Sequence, residues 1–300
     1  MRKLTLLVLA ILTMITITAI YSCKNSKTTT GKVLKFNLEK GKSYDYEILW
    51  DTDQKMMGQD NKITIAGGYT INVIDENDNI KTLTAAYRNF KMYMNIMGME
   101  ISVDTDKPSG PMDEAAIKAN PLGMMDRVFA GIKGKEFTMK VDEEGKVLQV
   151  SGFEQIINGM IDSIGINDDV KMQMRASLQD QFNEQAIKDQ FAQVFTIFPN
   201  KEIKSGDSWE KSFQMGGRMP AKYTTKYTVK EIEGDHVSLS AQTRIGSGSS
   251  EMEIKGTQDG SLLVDSKTGL VINAEFDQDM DIKARGMEIK IIGKGKIKGK

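Results

Sequence analysis

The sequence predicts an α+β fold: mostly antiparallel β-sheet in two related lobes, with a central helical segment packed on the sheet. Three observations support this prediction. Apolar and polar residues alternate with a period of two over most of the chain, as expected for strands that bury one face. Residues 151–199 instead repeat apolar residues at helical spacing. Similar short segments recur in the flanking regions 33–150 and 200–300, which are the two predicted lobes.

The alternating segments predict strands in both lobes. In the first lobe they are 33–38, 43–50, 62–74, 80–96 and 99–104. In the second lobe they lie near 208–213, 221–232, 236–245, 251–256, 261–265, 270–283 and 287–298. Residues 75–79 are polar and fit a hairpin turn. They do not fit a calcium loop, because Ile80 and Ala86 stand where that loop needs Gly and Glu.

Two hairpins have a register that residue pairing fixes. A turn at Arg285-Gly286 places opposite charges and apolar residues face to face: Lys283 with Glu288, Asp281 with Lys290, Asp277 with Lys294, Glu275 with Lys296, Ile282 with Ile289 and Met280 with Ile291. A turn at Met97-Gly98 pairs Met94 with Ile101, Met92 with Val103 and Lys91 with Asp104. A shift of one residue would mix the buried and exposed faces.

Two amphipathic helices are predicted between the lobes, after a shorter helical region within 111–131. Ser151 and Glu154 fit a capping box at the start of the first helix. Its apolar face consists of Phe153, Ile156, Ile157, Met160, Ile161 and Ile164. A second, longer helical pattern uses Val170, Met174, Leu178, Phe182, Phe191, Val194, Phe195 and Phe198, and Pro199 ends it. Because each helix is apolar on one face, we expect both to lie on the sheet.

The relation between the lobes is inferred from repeated segments. The string Gly-Met-Glu-Ile occurs at 98–101 and at 286–289. The segment GKSY at 41–44 is similar to GDSW at 206–209, and YTI at 69–71 is similar to YTV at 227–229. Two related lobes would explain these similarities, and chance similarity between strand sequences is the alternative.

The N-terminus predicts a lipoprotein signal peptide at residues 1–22. Arg2 and Lys3 precede an uncharged apolar run, and Ile20-Tyr21-Ser22-Cys23 resembles a lipobox. By that resemblance, Cys23 is the acylated first residue of the mature protein and anchors it to a membrane. Residues 23–32 form a flexible tether before a single body at 33–300. An uncleaved transmembrane helix is the alternative, since the run reaches the lower limit of about 17 residues for a span.

Composition excludes several classes of function. The net charge of −1 argues against a nucleic-acid partner, which would require a basic face. The chain has one Cys and one His, His236, so with Cys23 acylated neither a disulfide nor a zinc site can form. No P-loop or G-x-S-x-G motif is present. We therefore expect a protein that is not an enzyme and has no cofactor.

The candidate ligand surface is a stripe on the predicted strand 80–96. Alternate residues share a strand face, and here they are Phe90, Met92, Met94 and Ile96. Thioethers also suit copper(I), which is a second interpretation of Met92 and Met94 together with Met97, Met99, Met172 and Met174. Because Phe90 and Ile96 lie on the same face, we favour an apolar stripe.

Two charged segments are expected to be structural. The acidic row Glu275, Asp277, Asp279 and Asp281 could bind a cation, but lysines on the next strand can pair with it. The lysines between 294 and 300 could touch anionic lipid, and we expect them to guard a sheet edge against aggregation.

The lipobox, the KGKSYDYEI opening, FTMKVDEEGKVLQVSG and GDSW together resemble an uncharacterised family of Gram-negative cell-envelope lipoproteins, whose domain has no known function. That resemblance implies no activity. A curved sheet with helices in its concavity also resembles the carrier proteins of lipoprotein transport in architecture alone. Lys24 follows Cys23 where an Asp would resemble an inner-membrane retention signal, so we expect an outer-membrane anchor facing the periplasm.

The sequence thus predicts a non-enzymatic envelope lipoprotein. Its expected partners are the membrane, through acyl chains, and a lipid or an envelope protein bound on an apolar face. The alternative is a structural or assembly lipoprotein that acts by protein contacts only.

Overall fold

The computed structural model describes residues 31–300 except positions 97, 108–123, 163, 165, 182, 217–219, 250–251 and 285. The predicted leader, the anchor Cys23 and most of the tether lie outside the described residues. So do Met97 and Arg285, two of the four predicted turn residues. The described part contains fourteen strands and four helices.

Most of the described strands are long, and every pair that they form is antiparallel. Those of the first half are β1 (Lys32–Val33), β2 (Ser43–Met56), β3 (Gln59–Asn77), β4 (Ile80–Ile96), β5 (Met99–Asp104), β6 (Glu136–Val141) and β7 (Val147–Ser151). Those of the second half are β8 (Glu202–Ile203), β9 (Ser208–Met215), β10 (Ala221–Glu233), β11 (His236–Ser247), β12 (Glu253–Asp265), β13 (Val271–Ala284) and β14 (Met287–Gly299).

The two predicted lobes form one continuous sheet. Its twelve strands follow the order β7-β6-β4-β3-β2-β14-β13-β12-β11-β10-β9, and β5 pairs with β4 beside β6. The halves join where β14 pairs with β2, with Lys294 opposite Asp51 and Ile297 opposite Ile48. The mostly antiparallel prediction is confirmed, and the two predicted lobes are halves of one sheet, because the last strand completes its hydrogen bonding on the first long one.

One of the four helices lies within the first half, between β5 and β6, and the other three lie between the two halves in sequence. The four are α1 (Met124–Ala130), α2 (Glu154–Asp162), α3 (Asp168–Gln181) and α4 (Glu184–Phe195). On α2, the predicted apolar face is confirmed, with Ile156, Ile157, Met160 and Ile161 all buried. The second predicted helix is two helices, because the Asn183 side chain accepts a hydrogen bond from the Ala186 N–H and begins α4 there.

Other departures from the predicted strands have local causes. Residues 34–38 are not paired as a strand beyond Val33, but Leu34, Phe36 and Leu38 are still buried alternately in the core. The segments 251–256 and 261–265 belong to one strand, β12. The short strands β6 and β7 were not predicted.

Both predicted hairpin registers are confirmed. In the β13–β14 pair, Lys283 lies opposite Glu288 and Asp281 opposite Lys290, and all the other predicted pairs hold. In the β4–β5 pair, Met94 lies opposite Ile101. The polar turn at 75–79 is confirmed too: β3 and β4 pair up to Asn77 and Ile80.

The repeated GKSY and GDSW segments form the same turn. The Gly41 N–H donates to the Val73 carbonyl at 2.8 Å, and the Gly206 N–H donates to the Val229 carbonyl at 2.9 Å. Both glycines have positive φ, at 79° and 90°, which suits a residue without a Cβ. The two halves thus share a local structural motif at the start of β2 and β9.

The inner face of the sheet is the face that carries the buried side chains. On β4 the inward-facing positions change from odd to even residue numbers at a β-bulge. Gly68 and Tyr69 of β3 pair with Asn89 and Tyr87, which leaves Arg88 as the extra residue of that bulge. Leu83 and Ala85 point inward before that bulge, and Met92 and Met94 after it. The bulge therefore keeps both ends of a long strand facing one core.

Candidate functional site

Helix α4 connects the two edge strands of the sheet. It packs against β7 on one side and β9 on the other, and these strands stand at opposite ends of the strand order. The sheet therefore curves far enough for one helix to reach both edges. Covering both edges also protects their unpaired backbone groups from pairing with another chain.

Polar side chains hold α4 in this position. Glu184 Oε1 accepts a hydrogen bond from the Val150 N–H of β7 at 3.2 Å. On the other side, Asp189 Oδ2 accepts from the Gly216 N–H, just after β9, at 3.1 Å. Lys188, at 2.9 Å from Glu184, and the Val150 N–H together lower the pKa of the Glu184 carboxyl. The hydrogen bond between Glu184 and the Val150 N–H of β7 is therefore strongest when Glu184 is ionised.

The segment after α4 is fixed to the sheet as well. The indole N–H of Trp209 in β9 donates to the Ile197 carbonyl at 2.7 Å. Phe195 and Phe198 are buried, and the Phe195 ring lies 4.9 Å from that of Phe36 in the N-terminal segment. The chain on both sides of α4 is thus anchored, and the helix lies over the space that the curved sheet leaves.

A cavity of about 200 Å³ lies between α4 and the inner face. This volume exceeds the roughly 150 Å³ of an engineered cavity that binds benzene, and it is below the roughly 300 Å³ at which drug-sized sites begin. The residues that line it are Ile48, Tyr69, Ala85, Ala86, Tyr87, Phe137, Gln190, Phe191, Gln193, Val194, Ile197, Phe213, Thr225, Tyr227, Thr243, Leu262, Val271, Ala274, Phe276 and Ile297.

Aromatic rings form much of the cavity wall. Phe137 of β6 and Phe191 of α4 lie 5.9 Å apart. Tyr69 and Tyr87 face each other on β3 and β4. Burial raises the pKa of the Tyr69 phenol, with a smaller effect of the neighbouring Tyr87, and burial also raises the pKa of Tyr227. The phenols therefore stay neutral, and the cavity is apolar with hydroxyl groups on its wall.

A polar row crosses the inner face next to these rings. Thr225, Thr243, Gln258 and Gln278 stand directly opposite one another on β10 to β13. The two Thr hydroxyl oxygens are 2.9 Å apart, and Gln258 Nε2 donates to Gln278 Oε1 at 3.2 Å. All four side chains are buried. The row begins at the cavity, which Thr225 and Thr243 line, and continues into the packed core.

Beyond this row the inner face is tightly filled. The Trp50 ring lies over Gly293 and Gly295 of β14, where a methyl group would come within 2.6 Å and 2.3 Å of the ring. Only glycine leaves room there for an indole on the neighbouring strand. The Trp50 indole N–H is buried and has no hydrogen-bond partner among the described residues.

The predicted ligand stripe lies in this filled region. Met92, Met94 and Ile96 are buried, and Phe90 stacks on Phe129 of α1 with their ring centroids 4.5 Å apart. None of the four lines the cavity beneath α4. Binding of a ligand to this stripe stays a prediction.

The described methionines of the copper interpretation differ in their exposure. Met92 and Met94 are buried on β4, whereas Met99 is 51% exposed and Met172 of α3 is 66% exposed. Among the described residues, no group of three or more His, Cys, Asp or Glu side chains could hold a metal ion. His236 is exposed at the start of β11, beyond the turn at 234–235.

The acidic row of β13 pairs with lysines of β14, as expected. Lys296 lies 2.9 Å from Glu275, and Lys290 contacts both Asp279 and Asp281. The expectation that the terminal lysines guard a sheet edge is wrong. Their strand, β14, is central because it pairs with β13 and β2 at once, so these lysines cover the outer face.

The sequence analysis did not predict the residues that line the cavity. They come from α4 and from ten strands that are far apart in the chain, and no local pattern joins them. One signal was present: the repeated YTI and YTV segments each begin with a tyrosine, Tyr69 and Tyr227, and both line the cavity.

Residues 78–271 match a family described as a family of unknown function, DUF6263. The chain belongs to this family. The match spans α1 to α4 and most of the sheet strands, so it includes the helix and most of the sheet around the cavity. No curated protein matches this DUF6263 member. In the part of the chain that the structure describes, no helix is both long and apolar enough to cross a membrane.

The DUF6263 member has distant likenesses to solved structures. Lipovitellin, from a study of its lipid–protein interactions, is 10% identical with a TM-score of 0.46; the alignment covers 87% of this chain and 25% of that one. This chain thus spans about a quarter of lipovitellin. The translocator domain of the autotransporter NalP from Neisseria meningitidis is 5% identical, with a TM-score of 0.24 and 90% of both chains covered. A DUF1329 protein from Desulfovibrio piger is 9% identical, with a TM-score of 0.14 and 83% of both chains covered.

Proposed function

We propose that this protein is a membrane-anchored lipoprotein of the cell envelope that binds an amphipathic ligand and catalyses no reaction. The observation that supports it is the apolar cavity beneath α4, which has aromatic walls and a few hydroxyl groups. Ligand sites in proteins combine these features: a concave apolar surface with a small number of polar groups that fix orientation. The apolar part of the ligand lies between Phe191 of α4 and Tyr227 of β10.

Because the cavity is small, α4 acts in this proposal as a movable cover over the ligand site. At about 200 Å³ the space holds a short apolar segment, and a longer chain needs α4 to move away from the sheet. Few polar contacts hold the helix, including those of Glu184 with Val150 and of Asp189 with Gly216. Opening at either edge strand would enlarge the site without unpairing the sheet.

The anchor places this site at a membrane. Cys23 carries the acyl chains in this proposal, and residues 23–32 lead directly to the body. A single acyl chain gives only marginal membrane binding, whereas two or more make attachment stable. Mass spectrometry of the protein extracted from cells is expected to show an N-terminal acylated Cys23. A free thiol or an intact leader would contradict the anchor.

Filling the cavity tests the binding function. The neutral probe N-phenyl-1-naphthylamine is expected to bind the protein lacking residues 1–22 and to gain fluorescence. Ala274→Leu extends a buried side chain of β13 into the cavity and is expected to abolish that gain. Met94→Leu reshapes the predicted stripe at nearly constant volume and is the matched control. Loss of binding in Met94→Leu alone would move the site to β4, and absence of binding to the unmutated protein would refute the proposal.

A second candidate function is assembly by protein contacts alone, and α3 favours it. This helix packs on α2, and its Met172 and Val170 side chains are 66% and 40% exposed. Exposed apolar groups on one helix suit a protein partner. Crosslinking in the intact envelope would capture such a partner, and Met172→Lys is expected to reduce the capture while leaving probe binding unchanged.

A further inference from the structure

The cavity wall is polar in places but carries no charge among the described residues that line it. Thr225 and Thr243 contribute hydroxyls from β10 and β11, and Gln190 and Gln193 contribute amides from α4. An isolated ion buried in such an environment loses its hydration without gaining a counter-ion, which is strongly unfavourable. The part of a ligand that enters this cavity is therefore uncharged.

The polar row extends one strand beyond the cavity to an unsatisfied acceptor. Gln258 of β12 stands opposite Thr243, and neighbouring strands lie roughly 4.8 Å apart. Its Nε2 donates to Gln278, but its Oε1 is buried and has no hydrogen-bond partner in the described part of the chain. Gln258 does not line the cavity, so a ligand meets this neutral polar row only through Thr225 and Thr243.

We propose that the site is selective for a neutral lipid with a hydroxyl-bearing head group, of the monoacylglycerol class. This inference rests on the proposed function, because it requires the cavity beneath α4 to be the ligand site. The acyl chain packs among Phe191 and Tyr227. The head group hydroxyls exchange hydrogen bonds with Thr225 and Thr243, the two members of the row that line the cavity. An ionised fatty acid of the same chain length meets no cation there and binds more weakly.

Competition measurements test this selectivity. Monoolein and sodium oleate, both below their aggregation limits at pH 8, displace N-phenyl-1-naphthylamine from the full mature chain. Monoolein is expected to bind at least about tenfold more tightly, since two neutral hydrogen bonds and the exclusion of a charge together exceed the 1.4 kcal/mol of a tenfold difference. The double variant Thr225→Val/Thr243→Val is expected to lose this preference and keep probe binding.

Two further variants keep the test decisive. Thr224→Val is the matched control, because Thr224 faces outward and lies 3.1 Å from the Ser212 hydroxyl. If the double variant fails to fold, the single variant Thr225→Val removes one hydroxyl from the cavity wall and is expected to lower monoolein affinity severalfold. If the probe binds and oleate and monoolein displace it with equal affinity, the selectivity is refuted and the proposed function is not. Absence of probe binding to the unmutated chain would overturn the proposed function.

Discussion

The inner face of the sheet has two halves that differ in packing. Around residues 90–96 of β4, β5 and residues 293–295 of β14 it is filled: Met94 is buried and the Trp50 ring covers Gly293 and Gly295. Under α4 a cavity of about 200 Å³ remains. Both halves are apolar and belong to one sheet, so hydrophobicity alone does not distinguish a core from a ligand site. What differs is whether the side chains of the sheet contact those of the element that covers them.

The cover over each half explains this difference. The filled half is covered by side chains of the sheet itself and by α1, where Phe129 stacks on Phe90. The other half is covered by α4, which reaches across from β7 to β9 and rests on both edges. A helix supported at two edges can remain above the sheet without filling the space below.

The largest expected effect comes from opening a hole in the filled half. Met94→Ala should lower the free energy of unfolding by about 2–5 kcal/mol, because a fully buried methionine leaves a cavity behind. Val194→Ala in α4 should cost less than about 1.5 kcal/mol, since that side chain already borders empty space. Urea unfolding measures both values, and equal losses would contradict the contrast between the halves.

A smaller effect is expected from adding one methyl group to the filled half. Gly295→Ala should cost about 1–3 kcal/mol, because the new methyl group would lie 2.3 Å from the Trp50 ring. Gly246→Ala on β11 is the control, with no atom within 4 Å of the added group. Thermal unfolding compares the two variants. A tolerated Gly295→Ala would show that the Trp50 side of the core is loosely packed.

Weakening the start of α4 should affect the cavity half more than the filled half. Asn183→Ala removes the cap on the Ala186 N–H and should destabilise α4 by about 1 kcal/mol. Amide hydrogen exchange is expected to speed up in residues 184–195 while residues 90–96 and β5 are unchanged. Uniform acceleration across the sheet would mean that α4 and the filled half unfold as one unit.

The smallest expected effect is a response of α4 to acid. The pKa of Glu184 is lowered in the folded protein by Lys188 and by the Val150 N–H. Its contribution is therefore complete above the ordinary pKa of about 4.5 and is lost as the pH falls through the lower folded value. Hydrogen exchange of α4 should speed up, relative to the filled half, as the pH falls below that ordinary value. Glu184→Gln should exchange faster already at neutral pH and lose most of this pH dependence.

The sequence predicted the features that depend on neighbouring strands. The β13–β14 register follows from pairs such as Asp281 with Lys290, since each strand alternates acidic or basic residues with apolar ones. The β4–β5 register follows from Met94 opposite Ile101. Local alternation and a short turn are sufficient to fix such pairs.

Features that depend on distant segments were not predictable in this way. The pairing of β14 with β2 joins the two ends of the body, and no turn connects them. The cavity depends on small residues such as Ala274 and Thr225 on separate strands lying beneath the same helix. The division of one long helical pattern into α3 and α4 depends on a single cap, Asn183, inside an otherwise continuous apolar repeat.

The most direct test of the central claim is to locate a bound lipid by crosslinking. A monoacylglycerol that carries a diazirine in its acyl chain would be bound to the mature chain, activated by light and mapped by peptide mass spectrometry. We expect adducts on α4 and on the cavity-facing residues of β10 and β13, lost in Ala274→Leu. Adducts confined to residues 90–96 would contradict the claim and assign the ligand to the stripe on β4.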